Sequence, residues 1–199
     1  MQEIDINAEK NRLRKSLKEL RKSLDSAEKA IKDHKIAENL FSLKEFASAK
    51  CFLCYISEKT EVDTENIISR LFELNKCVAA PRVRDSEGNM DFYEITSPSQ
   101  TQRSAFGVRE PMVDKCQKLV DFSDSVCIMP ALTFDKNGYR LGYGKGCYDR
   151  FLSSYNGLKI GICYENFVFD KLPKDRFDIA ADIVVTENEI IYIKNETGE

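Results

Sequence analysis

Leu13, Leu17, Leu20 and Leu24 recur at helical spacing. They predict an amphipathic helix over about residues 7–24, with Asn7 as its N-cap. Its other faces carry Lys10, Arg12, Arg14, Lys15, Lys18, Arg21 and Lys22 against Glu9 and Glu19, a pattern that reads as a solvated basic surface. Asp25 followed by Glu28 resembles a capping box, and Ala27, Ile31, Leu40 and Phe41 supply the stripe of a second helix. CFLCYI (51–56) is a short apolar run, the pattern of a buried strand. A polar loop leads to the helix NIISRLFEL, capped by Asp63 or Thr64. CVAAPRV, ending near Pro81, and the alternating MDFYEI predict a hairpin-like pair about the turn DSEGN. VCIMPALTF is the next buried strand. CYDRFLSSY reads as a helix stopped at Asn156-Gly157. KIGICY, DIVVT and EIIYIK complete the sheet, and NETGE is a polar tail. Strands alternating with helices predict an α/β fold: three layers, a mostly parallel Rossmann-like sheet with helices on both faces, preceded by the basic N-terminal helix. One domain over residues 1–199 accommodates this.

Composition narrows the class. An apolar fraction of 42% with 32% charged residues is that of a soluble globular protein. The net charge of −3 argues against a general nucleic-acid binder. It is uneven, +3 over residues 1–50 and −6 over the rest. MQEIDINAEK lacks the apolar core of a signal peptide. The run 126–132 is too short for a bilayer and contains Pro130. Seven irregularly spaced cysteines favour reduced thiols in a cytosol. Cys51 and Cys54 form a C-x-x-C within a strand, where positions three apart point to opposite faces, so core packing is expected in place of a shared zinc. His34 is the single histidine, which removes Ser–His and Cys–His nucleophiles and multi-His metal sites.

The candidate chemistry lies in FDKNGYRLGYGKGCYDRFL (134–152). Gly142, Gly144 and Gly146 stand at every second position, which suits neither strand nor helix. It suits a loop whose backbone N–H groups converge on an anion at the start of a helix. Arg140, Lys145 and Arg150 flank it, and Asp149 lies in the first helical turn. The Walker pattern fails, because Gly146 follows Lys145 and Tyr139 occupies the first glycine position. The dinucleotide fingerprint fails at Cys147. A tight turn with solvated charges is the alternative reading of the same residues.

PALTFD (130–135), Gly138 and RLGYGKGCYDRFL together resemble the signature of the 5-formyltetrahydrofolate cyclo-ligase family. That signature is Pro-Gly-x-x-Phe-Asp, a spacer, then Arg-Leu-Gly-x-Gly-x-Gly-aromatic-Tyr-Asp-Arg. The chain departs from it at Ala131 and at Cys147, where the family usually has an aromatic. Three further segments fit the resemblance: KNRLR (10–14), EVDT (61–64) and DIAADIVVTE (178–187), the last preceded by Phe177 where the family often has His. SAFGVREP resembles a family Gly-Ile-x-Glu-Pro segment and is expected in a loop near the folate.

The resemblance implies an ATP- and Mg²⁺-dependent enzyme that converts 5-formyltetrahydrofolate to 5,10-methenyltetrahydrofolate, ADP and phosphate. It implies ATP contacts from Lys10, Asn11, Arg12, Leu13 and Arg14 and from Arg140, Leu141, Gly142, Tyr143, Gly144, Lys145, Gly146, Cys147 and Tyr148. Arg140 and Lys145 would assist catalysis. Ile56, Glu61 and residues 143–147 (Tyr143, Gly144, Lys145, Gly146, Cys147) would hold the folate, with the Glu61 carboxylate pairing with pterin N–H donors. Asp149 and Asp182 would share one Mg²⁺. A cytoplasmic monomer, with no nucleic-acid or membrane partner, is expected. The alternative is a nucleotide- or nucleic-acid-binding homologue without turnover.

Overall fold

The computed structural model describes residues 5–104 and 107–194. The N-terminal MQEI, Ala105 and Phe106 of the SAFGVREP segment, and the NETGE tail lie outside the described residues.

The central sheet has seven strands: β1 (Cys51–Cys54), β2 (Cys77–Val83), β3 (Met90–Ile95), β6 (Ser125–Met129), β9 (Leu158–Ile162), β11 (Ile183–Val185) and β12 (Ile190–Tyr192). Their order is β12-β11-β9-β6-β1-β2-β3. The five inner strands are parallel; β3 and β12 pair antiparallel at the two edges. β1 and β6 are buried at every position, so both faces of the sheet centre are covered, which explains their unbroken apolar runs. The covering helices are α1 (Ile6–Lys22), α2 (Ser26–Ser42), α3 (Lys44–Ser48), α4 (Glu65–Glu73) and α5 (Cys147–Leu152). A small sheet of β7 (Thr133–Asp135), β8 (Arg140–Leu141) and β10 (Val168–Phe169) and a hairpin of β4 (Thr101–Arg103) with β5 (Arg109–Pro111) complete the fold. From β1 the chain winds outward to β2 and β3, then returns to β6 and winds the other way. The β1/β6 boundary is therefore the topological switch point, where the carboxyl ends of α/β strands open a crevice.

Several local expectations change. The N-cap of α1 is Asp5, whose carboxylate accepts from the backbone N–H groups of Asn7 and Ala8. The buried positions of α1 are Lys10, Leu17 and Arg21, while Leu20 is half exposed. Asp25 does cap α2, accepting from Ala27 and Glu28, but the buried stripe is Asp33, Ile36 and Leu40, and Ile31 faces solvent. The glycine-rich loop follows β8 of the small sheet, not the long strand read over VCIMPALTF, which breaks at Pro130 into β6 and β7. α5 stops at Leu152, well before Asn156. Cys51 and Cys54 do not converge; the Cys51 sulfur lies 2.6 Å from that of Cys77, its partner in register on β2.

Candidate active site

A cavity of about 790 Å³ opens at the switch point, within the usual range for small-molecule sites. Tyr55 and Ile56 enter it from the end of β1 and Pro130 from the end of β6. Ile56, Pro81, Val83, Met90 and Val108 give it an apolar wall. The glycine-rich loop, Lys10, Arg14, Arg150 and Arg176 give it a cationic one.

The loop needs its glycines at two positions. Gly144 has φ +107° and Gly146 φ +66°, conformations that strain other residues. Gly146 also serves as N-cap of α5. Two arginines brace the loop from outside: Arg14 donates through Nε to the Gly142 carbonyl at 3.0 Å, and Arg150 donates to the Lys145 carbonyl. Asn11 fixes Arg14 through its Oδ1 at 2.7 Å.

Lys10 is buried, with Nζ 2.8 Å from Asp175 and 2.6 Å from Asp178. Burial pulls its ammonium pKa down, but the hydrogen bonds and charges of the two aspartates outweigh this and hold it raised. The same Lys10 hydrogen bond leads the causes that lower the Asp175 carboxyl. Arg140, also buried, donates to the Ile179 carbonyl at 2.6 Å and to Asp149 Oδ1 at 2.7 Å. Lys10, Arg14 and Arg140 thus hold the walls together, besides lining them. Asn11, Arg12 and Leu13 do not line the cavity, whereas all of residues 140–149 do.

Glu61 is 8% exposed. Its carboxylate accepts from the Glu58 N–H at 2.8 Å, and the Tyr143 hydroxyl turns towards it. Burial raises its pKa, opposed by these hydrogen bonds and by the charge of Arg21. Tyr148 lies on the cavity wall with its hydroxyl buried and without a hydrogen-bond partner among the described residues. A group of that kind costs roughly 1–3 kcal/mol unless something else satisfies it.

Asp149 and Asp182, expected to share one Mg²⁺, are held differently. Asp149 lines the cavity, with Oδ1 held by Arg140 and the Ile179 N–H. Asp182 does not line it. Its Oδ2 accepts from the Lys159 N–H and lies 2.9 Å from Lys159 Nζ. β11 runs parallel to β9 and β6, with Ile183 level with Ile160 and Ile128. Asp182 therefore stands at mid-height in the sheet, below the carboxyl ends. Among the described residues no three His, Cys, Asp or Glu side chains gather as a metal site. A single carboxylate with phosphate oxygens and water suits magnesium, and of the two aspartates Asp149 is the one that lines the cavity.

Two wall-building residues escaped the sequence reading. Glu110 is buried, lines the cavity and accepts from the Val83 N–H at 3.2 Å; the REP of the SAFGVREP segment was its one signal. Arg21 looked like another solvated cation and is 3% exposed.

A parallel α/β sheet with a cationic, glycine-lined crevice at its switch point defines an α/β protein that binds an anionic small molecule. A model of the 5-formyltetrahydrofolate cyclo-ligase family matches residues 6–187, and the chain belongs to that family. The solved structure of Aquifex aeolicus 5,10-methenyltetrahydrofolate synthetase is 34% identical with a TM-score of 0.82, covering 96% of this chain and 95% of that one. The mouse 5-formyltetrahydrofolate cyclo-ligase is 25% identical over 94% of this chain and 98% of its own. An Arabidopsis thaliana relative, named as a mitochondrial 5-formyltetrahydrofolate cyclo-ligase, is 26% identical over the whole chain and 81% of its own.

Proposed function

We propose that this chain converts 5-formyltetrahydrofolate to 5,10-methenyltetrahydrofolate at the expense of ATP, releasing ADP and phosphate. The observation that carries the reading is one crevice lined by both the braced glycine-rich loop and the buried Glu61, in a chain of the cyclo-ligase family. The formyl oxygen of the substrate is a poor leaving group. Transfer of the ATP γ-phosphoryl to it makes phosphate the leaving group. The substrate's own 10-nitrogen then attacks the formyl carbon, and phosphate and the nitrogen's proton depart. No protein nucleophile is required, and the work is positioning and charge stabilisation.

In this reading the backbone N–H groups of residues 142–146, with Arg14 and Lys145, receive the triphosphate. Lys10 and Arg140 fix the walls that the phosphates meet. Glu61 takes the pterin N–H donors, with Ile56 and the other apolar wall residues against the ring system. Asp149 supplies the one protein carboxylate to a Mg²⁺ ion that neutralises phosphate charge when bound. The protein acts as a single domain and a monomer in the cytosol, a location supported by seven free cysteines; no helix among the described residues is long and apolar enough to cross a membrane.

Product stoichiometry tests this. One ADP and one phosphate should appear per 5-formyltetrahydrofolate consumed. Equal ADP release without the folate would contradict it.

A further inference from the structure

The basic face of α1 is not simply solvated. Lys10, Arg14 and Arg21 lie along one side of the helix, and each reaches a different segment of the crevice: Lys10 the 175–178 segment, Arg14 the glycine-rich loop, Arg21 the loop that carries Glu61. Arg21 differs from the other two. Its Nε donates to the Leu132 carbonyl at 3.1 Å and its Nη1 to the Thr60 carbonyl at 3.1 Å. The guanidinium sits 5.7 Å from the centroid of Tyr164 and 5.3 Å from that of Phe167. No carboxylate lies within ion-pair distance of it among the described residues. A buried cation held by carbonyls, rings and the Cys163 sulfur, 3.9 Å from Nη2, is costly without a carboxylate, and the charge it acts on across the Thr60–Glu61 peptide is Glu61. From the other side the Tyr164 hydroxyl is 2.7 Å from Asp33 Oδ1 and 3.2 Å from the Glu61 carbonyl. The same Asp33 oxygen accepts from the Asp63 N–H at 3.1 Å, while Lys29 holds its second oxygen at 2.6 Å.

We infer that Arg21 is a positioning residue for folate recognition: it anchors the Glu61 loop through Thr60, while Tyr164 and Asp33 clamp the loop from behind. This rests on the assignment of Glu61 to the folate. The groups that face Glu61 are Arg21 from α1, Glu58 from its own loop, Tyr55 from the end of β1, Tyr143 from the glycine-rich loop and Tyr148 from α5. Arg21 is the one cation among them. Without it, Glu61 takes up a proton at a higher pH, and folate affinity falls from a higher pH downward.

The test is steady-state kinetics of the full chain against pH for Arg21→Gln and Arg21→Lys, with folding checked by circular dichroism. In Arg21→Gln we expect KM for 5-formyltetrahydrofolate to rise about tenfold, the size of one lost charge-assisted contact, with KM for ATP and kcat within about twofold. The acid-side rise of the folate KM should move towards neutral pH. Arg21→Lys keeps the charge and loses the fork. Its acid limb should match wild type, with a smaller rise in the folate KM. Should the Gln variant not fold, the Lys variant carries the test. Either variant binding 5-formyltetrahydrofolate like the wild type overturns the inference, as does an equal rise in both KM values or, in Arg21→Gln, an unmoved acid limb. Absence of wild-type turnover would instead overturn the functional reading.

Discussion

Glu61 is a carboxylate kept dry, and its two consequences have opposite signs. Burial raises its folded pKa above the unfolded value of roughly 4.3. Between those two values the folded state binds the extra proton, so stability falls as pH rises through that window. At neutral pH the ionised group therefore costs stability. Glu61→Gln should raise Tm at pH 7, and the gain should vanish at about pH 3, below the unfolded pKa, where both states are protonated in the wild type. The same substitution should raise the folate KM by about 10- to 150-fold, the worth of a buried charge-assisted hydrogen bond. A variant with lower Tm at pH 7 and unchanged folate KM would mean that Glu61 is a structural group. Tyr148 makes a parallel case, because its hydroxyl has no hydrogen-bond partner among the described residues. Tyr148→Phe should gain about 1 kcal/mol, or roughly 2–4 °C in Tm, while weakening substrate binding. Thermal scans with matched kinetics check this, and equal activity would assign the hydroxyl no ligand. At this scale the sequence exposed Glu61 and Tyr148 through their motifs. It hid Arg21, because a cation on an amphipathic helix looks the same whether its helix face meets water or backbone carbonyls.

Elements were legible where burial has a period. β1, β2, β3, α4 and the closing strands lie close to where their apolar patterns put them. Misreadings occur where a polar group does the work of an apolar one. Lys10 and Arg21 take buried positions on α1, and Asp33 takes one on α2, so counting leucines tilted both predicted stripes. The apolar run 126–134 reads as one strand because nothing in its hydropathy marks the step from the main sheet to the small one. The partner of Asp182 was not legible for a topological reason: DIAAD gives no sign that its second aspartate, just before β11, stands beside Lys159. We predict that Asp149→Asn raises the Mg²⁺ concentration for half-maximal rate, whereas Asp182→Asn loses its partner Lys159 and costs about 1 kcal/mol of stability. With no shared ion, their effects on rate should multiply in the double variant. A double variant no worse than Asp149→Asn, with both singles shifted in Mg²⁺ requirement, would restore the shared ion.

At the scale of the whole molecule, the sheet order puts the crevice where two windings diverge, and α1 closes it by holding three separate segments from one helix face. That arrangement brings residues from position 7 to position 179 to one cavity, which is why local pattern located the fold more readily than the site. Site roles for KNRLR, EVDT and the glycine-rich loop came through family resemblance; spacing alone left the loop's phosphate and tight-turn readings open.

The central claim is that this crevice joins ATP to 5-formyltetrahydrofolate for cyclisation. Product formation can be followed directly, because 5,10-methenyltetrahydrofolate absorbs in the near ultraviolet where 5-formyltetrahydrofolate does not. Absorbance should grow only when protein, ATP, Mg²⁺ and 5-formyltetrahydrofolate are all present, and should stop when ATP is exhausted. Growth at the same rate without ATP, or no growth with all four present, would contradict the account.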